Sequence, residues 1–156
     1  MADPTPINET DSVRLGGGDS RRAITCDSMG ALLAISYALG GRLELEQVLT
    51  GASNLVSNAV EACGEGGQVK VRVYYNRRRS RFTISVTDNG PGITPENRSK
   101  MFTEFFTTKG GQGTGLGLPV TKKLVTELGG KIKFHSVPNH GARFVITLPT
   151  GSEINS

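Results

Sequence analysis

The sequence predicts an α+β domain, a two-layer α/β sandwich whose mixed, mostly antiparallel sheet is covered on one face by about three helices. Two neighbouring segments alternate with period two: Val69, Val71 and Val73 against Lys70, Arg72 and Tyr74, then Phe82, Ile84 and Val86 against Thr83, Ser85 and Thr87. Such segments are strands with a single apolar face, the mark of an antiparallel sheet covered on one side. Longer segments on either side repeat apolar residues at helical spacing. A chain of 156 residues, 36% apolar and 21% charged, has room for one core.

The elements follow in order. Residues 1–25 read as a disordered leader or cloning remnant, because the first twenty are polar, aperiodic and rich in Pro and Gly. The domain is expected over 26–150, with a flexible tail at 151–156. From Asp27 a first helix carries Leu32, Leu33, Ile35, Ala38 and Leu39 and stops at Gly40-Gly41. A longer helix runs from about Leu43 to Cys63 and ends at Gly64 and Gly66-Gly67. The two alternating strands come next, joined through Arg77-Arg78-Arg79. A short helix from Pro95 to Phe102 starts behind Thr94 as its cap. Leu116, Val120, Leu124 and Leu128 define a third helix closed by Gly129-Gly130. Strands Lys131–Ser136 and Ala142–Leu148 form a closing hairpin through Pro138-Asn139-His140-Gly141.

Eighteen Lys and Arg against 14 Asp and Glu give a net charge of +4, but the basic residues are scattered along the chain. The tight run Arg77–Arg79 reads as a solvated hairpin loop, so no nucleic-acid partner is expected. No apolar run approaches the ~20 residues of a membrane span, and the first residues lack a signal-peptide pattern. Cys26 and Cys63 form neither metal-ligand spacing nor a disulfide framework, which suits a cytoplasmic location.

Polar residues and glycines carry the chemistry. On a helical wheel Leu45, Val48, Leu49, Ala52, Leu55, Val56, Ala59 and Val60 share one arc, while Asn54, Asn58 and Glu61 fall within about 60° on the other side. This polar group is a solvated face or the oxygen-ligand set of a hard cation such as Mg²⁺. Asp88-Asn89-Gly90-Pro91-Gly92-Ile93 leaves a strand end directly, as a plain turn or as a loop that a ligand approaches closely. Gly113-Thr114-Gly115-Leu116-Gly117-Leu118 opens the third helix, where unpaired N–H groups and the helix dipole favour an anion. It has neither the Walker A lysine nor the Rossmann spacing. Phe102 through Lys109 places three phenylalanines next to a Gly-, Thr- and Lys-rich stretch, as a satellite core or a latched lid.

As a set these motifs resemble the catalytic domain of histidine kinases in the GHKL, or Bergerat-fold, superfamily, with wording closest to nitrogen-regulator-type sensor kinases. Asn54–Ala62 is similar to the N box, Asp88–Ile93 to the first glycine box, Met101–Lys109 to the F box and Gly113–Leu118 to the second glycine box. Gly141–Pro149 looks like the usual closing strand, and the likeness covers about residues 42–150. It implies ATP and Mg²⁺ as cofactors. Asn58 would bind the metal with Asn54 beside it, and Asp88 would accept a hydrogen bond from the adenine amino group. Gly90 and Gly92 would let the base approach, with Ile93 and Phe102 lining the cofactor site. Thr108, Lys109, Gly113, Thr114, Gly115, Leu116, Gly117 and Leu118 would enclose the triphosphate under a lid spanning roughly 94–114, with Asn54, Asn58 and Lys109 in catalytic roles. Glu61 is left as a phosphate-side or general polar contact.

The implied activity is transfer of the ATP γ-phosphate to a histidine in a two-component system, with histidine-bearing dimerisation helices and a response regulator as partners. Serine kinase action on a partner protein, as in anti-sigma-type relatives, and a non-catalytic ATP-binding module are the alternatives. Hydrolytic superfamily members resemble one another in a glutamate four residues before the metal asparagine. That position is Asn54 here, an amide that cannot take a proton from water. Ala142 stands where a threonine is often found. His135 and His140, on a strand and in a turn, are not expected to be the acceptor, which then lies outside this chain.

Overall fold

The computed structural model describes residues 10–14, 23–27, 42–107 and 115–149. In chain order these form β1 (Thr10–Arg14), β2 (Ala23–Asp27), α1 (Arg42–Cys63), β3 (Gln68–Asn76), a 3-10 turn (Arg77–Arg79), β4 (Arg81–Asp88), α2 (Pro95–Arg98), α3 (Gly117–Glu127), β5 (Lys131–Ser136) and β6 (Ala142–Pro149). The strands make one sheet in the order β1-β2-β3-β4-β6-β5. Every junction is antiparallel except the parallel β2–β3 pair. The expected mixed, mostly antiparallel sandwich is the observed fold.

Alternation decides which face is buried. The β3–β4 register sets Val71 opposite Val86 and Val73 opposite Ile84, and β6 continues with Phe144 beside Val86 and Ile146 beside Ile84. Phe82, Ile84, Val86, Ile146 and Leu148 are each 1–2% exposed. From the helical layer α1 lays Val48, Leu55 and Ala59 on this face, and α3 adds Val125. Each fully buried side chain of this kind contributes roughly 1.5–3 kcal/mol.

Three expectations change. Strands β1 and β2 fall within or across the segment 1–25 read as an unstructured leader. Each is five residues long, too short for periodicity to declare itself; β2 pairs onto the β3 edge and β1 onto β2. The helix placed from Asp27 to Leu39 lies outside the described residues apart from Asp27, the last residue of β2. The helix expected from Pro95 to Phe102 ends at Arg98 and continues as turns, Met101 N–H donating to Asn97 O and Thr103 N–H to Lys100 O. Burying Met101 at 6% exposure and turning Phe102 onto Phe134, ring centroids 6.1 Å apart, pull the chain off the helical path. Pro95 occupies the first turn as expected, but Thr94 caps with its backbone carbonyl, not its hydroxyl.

The third change concerns the face of α3. Thr121 and Val125 are its buried residues, with Leu118 and Leu128 packed against the core. Leu116 and Val120 are 37% and 39% exposed. The stripe at four-residue spacing therefore meets the core at its end, through Leu128, while its start, Leu116 and Val120, faces outward.

Candidate functional site

The site is built along the last three turns of α1. Its apolar arc packs on the sheet, leaving Asn54, Asn58 and Glu61 to turn toward α3 and solvent. Asn54 is half-buried, and its Nδ2 donates to Gly117 O at 3.3 Å and to Thr121 Oγ1 at 3.2 Å. Thr121 Oγ1 in turn donates to the same Gly117 carbonyl at 2.7 Å. One amide thus ties α1 to the first turn of α3. Asn58, one turn along, is half-buried against that helix start: a Cβ placed on Gly117 would lie 3.8–3.9 Å from its amide nitrogen and oxygen.

The next turn of α1 faces the loop after β4. A Cβ on Gly90 would lie 3.0 Å from both Ala62 O and Asp88 Oδ1. Residues 58 and 62 are one turn apart, about 6 Å along the axis. The anion-favouring helix start and the aspartate loop therefore share one stretch of α1.

Asp88 is the last residue of β4 and is 8% exposed. Gly90 N–H and Ala142 N–H both donate to its Oδ1, at 2.9 and 3.3 Å. Burial pushes its carboxyl above the usual carboxylate range, against the lowering effect of these two bonds. With both bonds on Oδ1, Oδ2 is the oxygen able to accept from a ligand amino group. The loop beyond is fastened to the β5–β6 hairpin: Ile93 N–H donates to Ser136 Oγ at 2.7 Å, and Ser136 Oγ donates to Gly141 O at 2.9 Å. Arg98 reaches the Ser136 carbonyl with Nη2 and the Ile93 carbonyl with Nε. Ser136 and Arg98 carried no motif signal, since only the pairing of the hairpin brings them beneath the loop.

Gly92 has φ +74°, and a Cβ there would lie 2.4 Å from Val137 O. This glycine is demanded by the close approach of the hairpin backbone, whatever ligand lies above it. Gly115 is similar, with φ +68° and a Cβ that would meet Phe105 C at 2.4 Å. Phe105 N–H donates to Gly115 O at 3.1 Å, so the phenylalanine segment is laced to the glycine segment. Phe105 itself has φ +64° and is 72% exposed.

The remaining sequence-predicted residues divide clearly. Phe102 packs on Phe134, with Lys122 Nζ 5.3 Å from its ring centroid, so its ring belongs to the margin of the main core. Leu118 also packs on the core, Leu116 is exposed immediately before α3, and Glu61 is exposed on α1. Thr108, Lys109, Gly113 and Thr114 lie outside the described residues. His135 is exposed on β5 and His140 sits in the hairpin with Nδ1 3.1 Å from Pro138 O, as expected of a strand and a turn residue.

Among the described residues no group of three or more His, Cys, Asp or Glu could hold a metal. A divalent ion here would need ligands from a bound phosphate chain as well as the protein. One amide oxygen at Asn58, beside a helix start, fits a hard cation that keeps oxygen ligands and waters.

A family model described as histidine kinase-, DNA gyrase B- and HSP90-like ATPase matches residues 40–152. The C4-dicarboxylate transport sensor protein DctB of Rhizobium meliloti (strain 1021) is 40% identical over 111 residues, covering 71% of this chain and 17% of that protein. Sensor histidine kinase ZraS of Salmonella typhimurium (strain LT2) is 43% identical over 105 residues, covering 67% and 22%. Among solved structures, the nucleotide-free catalytic domain of histidine kinase ThkA aligns with TM-score 0.59 at 39% identity, covering 67% of each chain. Full-length ShkA in complex with AMPPNP aligns with TM-score 0.61 at 29% identity, covering 69% of this chain and 22% of that one. This chain spans about a fifth of the length of the curated relatives it matches.

Proposed function

Since this chain belongs to the histidine kinase-, DNA gyrase B- and HSP90-like ATPase family, we propose that it is the ATP·Mg²⁺-binding catalytic domain of a two-component sensor histidine kinase. It would pass phosphate to a histidine outside the chain. The observation that supports this most is the meeting, on one stretch of α1, of Asn58 with the start of α3 and of Ala62 with the Asp88 loop. When bound, ATP·Mg²⁺ supplies the transferable γ-phosphoryl group and the charge neutralisation its transfer requires.

The protein's own residues divide the work of binding and positioning. Asp88 accepts from the adenine amino group through Oδ2 while its Oδ1 is held by Gly90 and Ala142. Asn58 offers its amide oxygen to the metal. The N–H groups opening α3 face the phosphate end, and the likeness to the second glycine box and the F box assigns phosphate contacts to Gly113, Thr114, Thr108 and Lys109. Asn54 is a positioning residue: its amide is committed to α3 and can take no proton from water, so the site holds the γ-phosphate for an external acceptor instead of hydrolysing it. Exposed Phe105, Leu116 and Val120 form an apolar rim against which a histidine-bearing helix docks. The acceptor helices and response regulator would meet this domain in the cytoplasm. Among the described residues no helix is long and apolar enough to cross a membrane.

Calorimetric titration with a non-hydrolysable ATP analogue, with and without Mg²⁺, tests the reading. Wild type binds more tightly with Mg²⁺, and Asn58→Ala loses that gain while keeping Mg²⁺-independent binding. An unchanged Mg²⁺ dependence in Asn58→Ala would remove the metal assignment. Acid-stable phosphate on a partner would point instead to serine kinase action.

A further inference from the structure

The face of the sheet turned away from α1 and α3 carries a charge pattern that nucleotide binding does not use. Outward positions in β3–β6 include Lys70, Arg72, Arg81, Lys131, Lys133 and Arg143, all exposed, and no Asp or Glu. Six cations on these four strands exceed the net charge of the whole chain, +4, so everything else sums to −2, including Asp27 at an outward position on the adjoining β2. The scatter seen along the sequence becomes segregation once the strands pair.

Register gives the pattern a shape. Lys70 and Arg72 line β3, while Lys131 and Lys133 line β5 with exposed His135. Three strand spacings separate the two rows, about 14 Å. Between them runs a floor of Thr83, Ser85, Thr87, Val145 and Thr147 on β4 and β6. Arg143 lies over this floor, its Nε donating to Ser85 Oγ at 3.0 Å. Two cationic rails flank a low, hydroxyl-rich strip.

We propose that this face is a docking surface for an acidic α-helix of a partner protein, laid along the strip with carboxylates reaching both rails. A helix with side chains is about 10–12 Å across, which suits the gap. Charge complementarity selects the partner and speeds its encounter. A second copy of this chain would meet its own cations across the same face and be repelled. A lipid surface finds no large apolar side chain here to insert. Single-stranded nucleic acid finds only half-buried Tyr74 and exposed His135, on separate strands, and no run of aromatic rings to stack on. The surface lies across the sheet from the nucleotide site, so an occupant does not compete with ATP.

The test titrates the full chain by fluorescence anisotropy at about 0.1 M salt. The probe is a labelled Glu/Ala peptide of about 20 residues, long enough to be helical, beside a composition-matched peptide broken by prolines. Phosphatidylglycerol vesicles and a single-stranded oligonucleotide are titrated in parallel. The helical peptide should bind, and the double variant Lys131→Glu/Lys133→Glu should weaken it about tenfold or more. The variant Arg78→Glu/Arg79→Glu, with the same charge change on the β3–β4 connection, should stay within about twofold of wild type. Unchanged affinity for the ATP analogue in both variants shows that the fold is intact. Equal losses in the two variants, equal binding of the broken peptide, or vesicles or oligonucleotide captured at this face without the helix would each overturn the proposal.

Discussion

Asp88 is buried with its charge opposed by desolvation and supported by two backbone N–H groups. Its folded-state carboxyl titrates above its unfolded value, so the native state holds the proton more tightly. Stability from this group is therefore fully present below the unfolded pKa and is lost as pH rises through the folded one. An amide keeps the acceptor oxygen for Gly90 and Ala142 without the buried charge. Asp88→Asn should leave the nucleotide-free melting temperature at neutral pH unchanged or raised, while ATP-analogue affinity falls about tenfold or more. Calorimetry beside thermal melts reads both, and equal affinity in the two proteins would refute the adenine role. Asn54 behaves differently. A carboxylate there would face the Gly117 carbonyl, so Asn54→Asp should cost roughly 1–3 kcal/mol in denaturant unfolding. A free solvated asparagine would show no such loss.

At the scale of elements, the loop after β4 and the hairpin between β5 and β6 behave as one unit through Ser136, Arg98 and Gly92. Gly92→Ala meets both a positive φ and the Val137 carbonyl, a strain of roughly 1–3 kcal/mol. The nucleotide-free melting temperature should then fall by several degrees, at about 2–4 °C per kcal/mol for a chain of this size. A glycine needed only for ligand approach would leave it unchanged. Exposed Leu116 and Val120 make the opposite prediction. Val120→Ser should preserve stability and ATP-analogue binding, yet slow phosphate transfer to a supplied histidine-bearing helical domain. An undiminished transfer rate would free this rim of the docking role. Both residues were legible in the sequence as members of a leucine stripe, but the spacing left open which part of that stripe packs. Four-residue spacing drifts around a helix, and Thr121, buried because Asn54 and Gly117 satisfy its hydroxyl, breaks the rule that the packed face is apolar.

For the whole molecule, neither histidine is placed as an acceptor, so the chain alone should retain no acid-labile phosphate after incubation with labelled ATP and Mg²⁺. Label should appear on a histidine-bearing helical domain supplied in trans, and label on this chain itself would contradict the reading. From α1 onward the order of the elements, their one apolar face and the polar set on α1 were determined by sequence alone, because periodicity and side-chain chemistry are local properties. The short strands β1 and β2, the early end of α2, the Ser136–Arg98 clasp and the cationic sheet face were decided by tertiary structure. Each depends on which backbone lies beside which. Strand pairing sets residues 70 and 143 on one surface and residues 93 and 136 in one hydrogen bond, separations that no window along the chain can span.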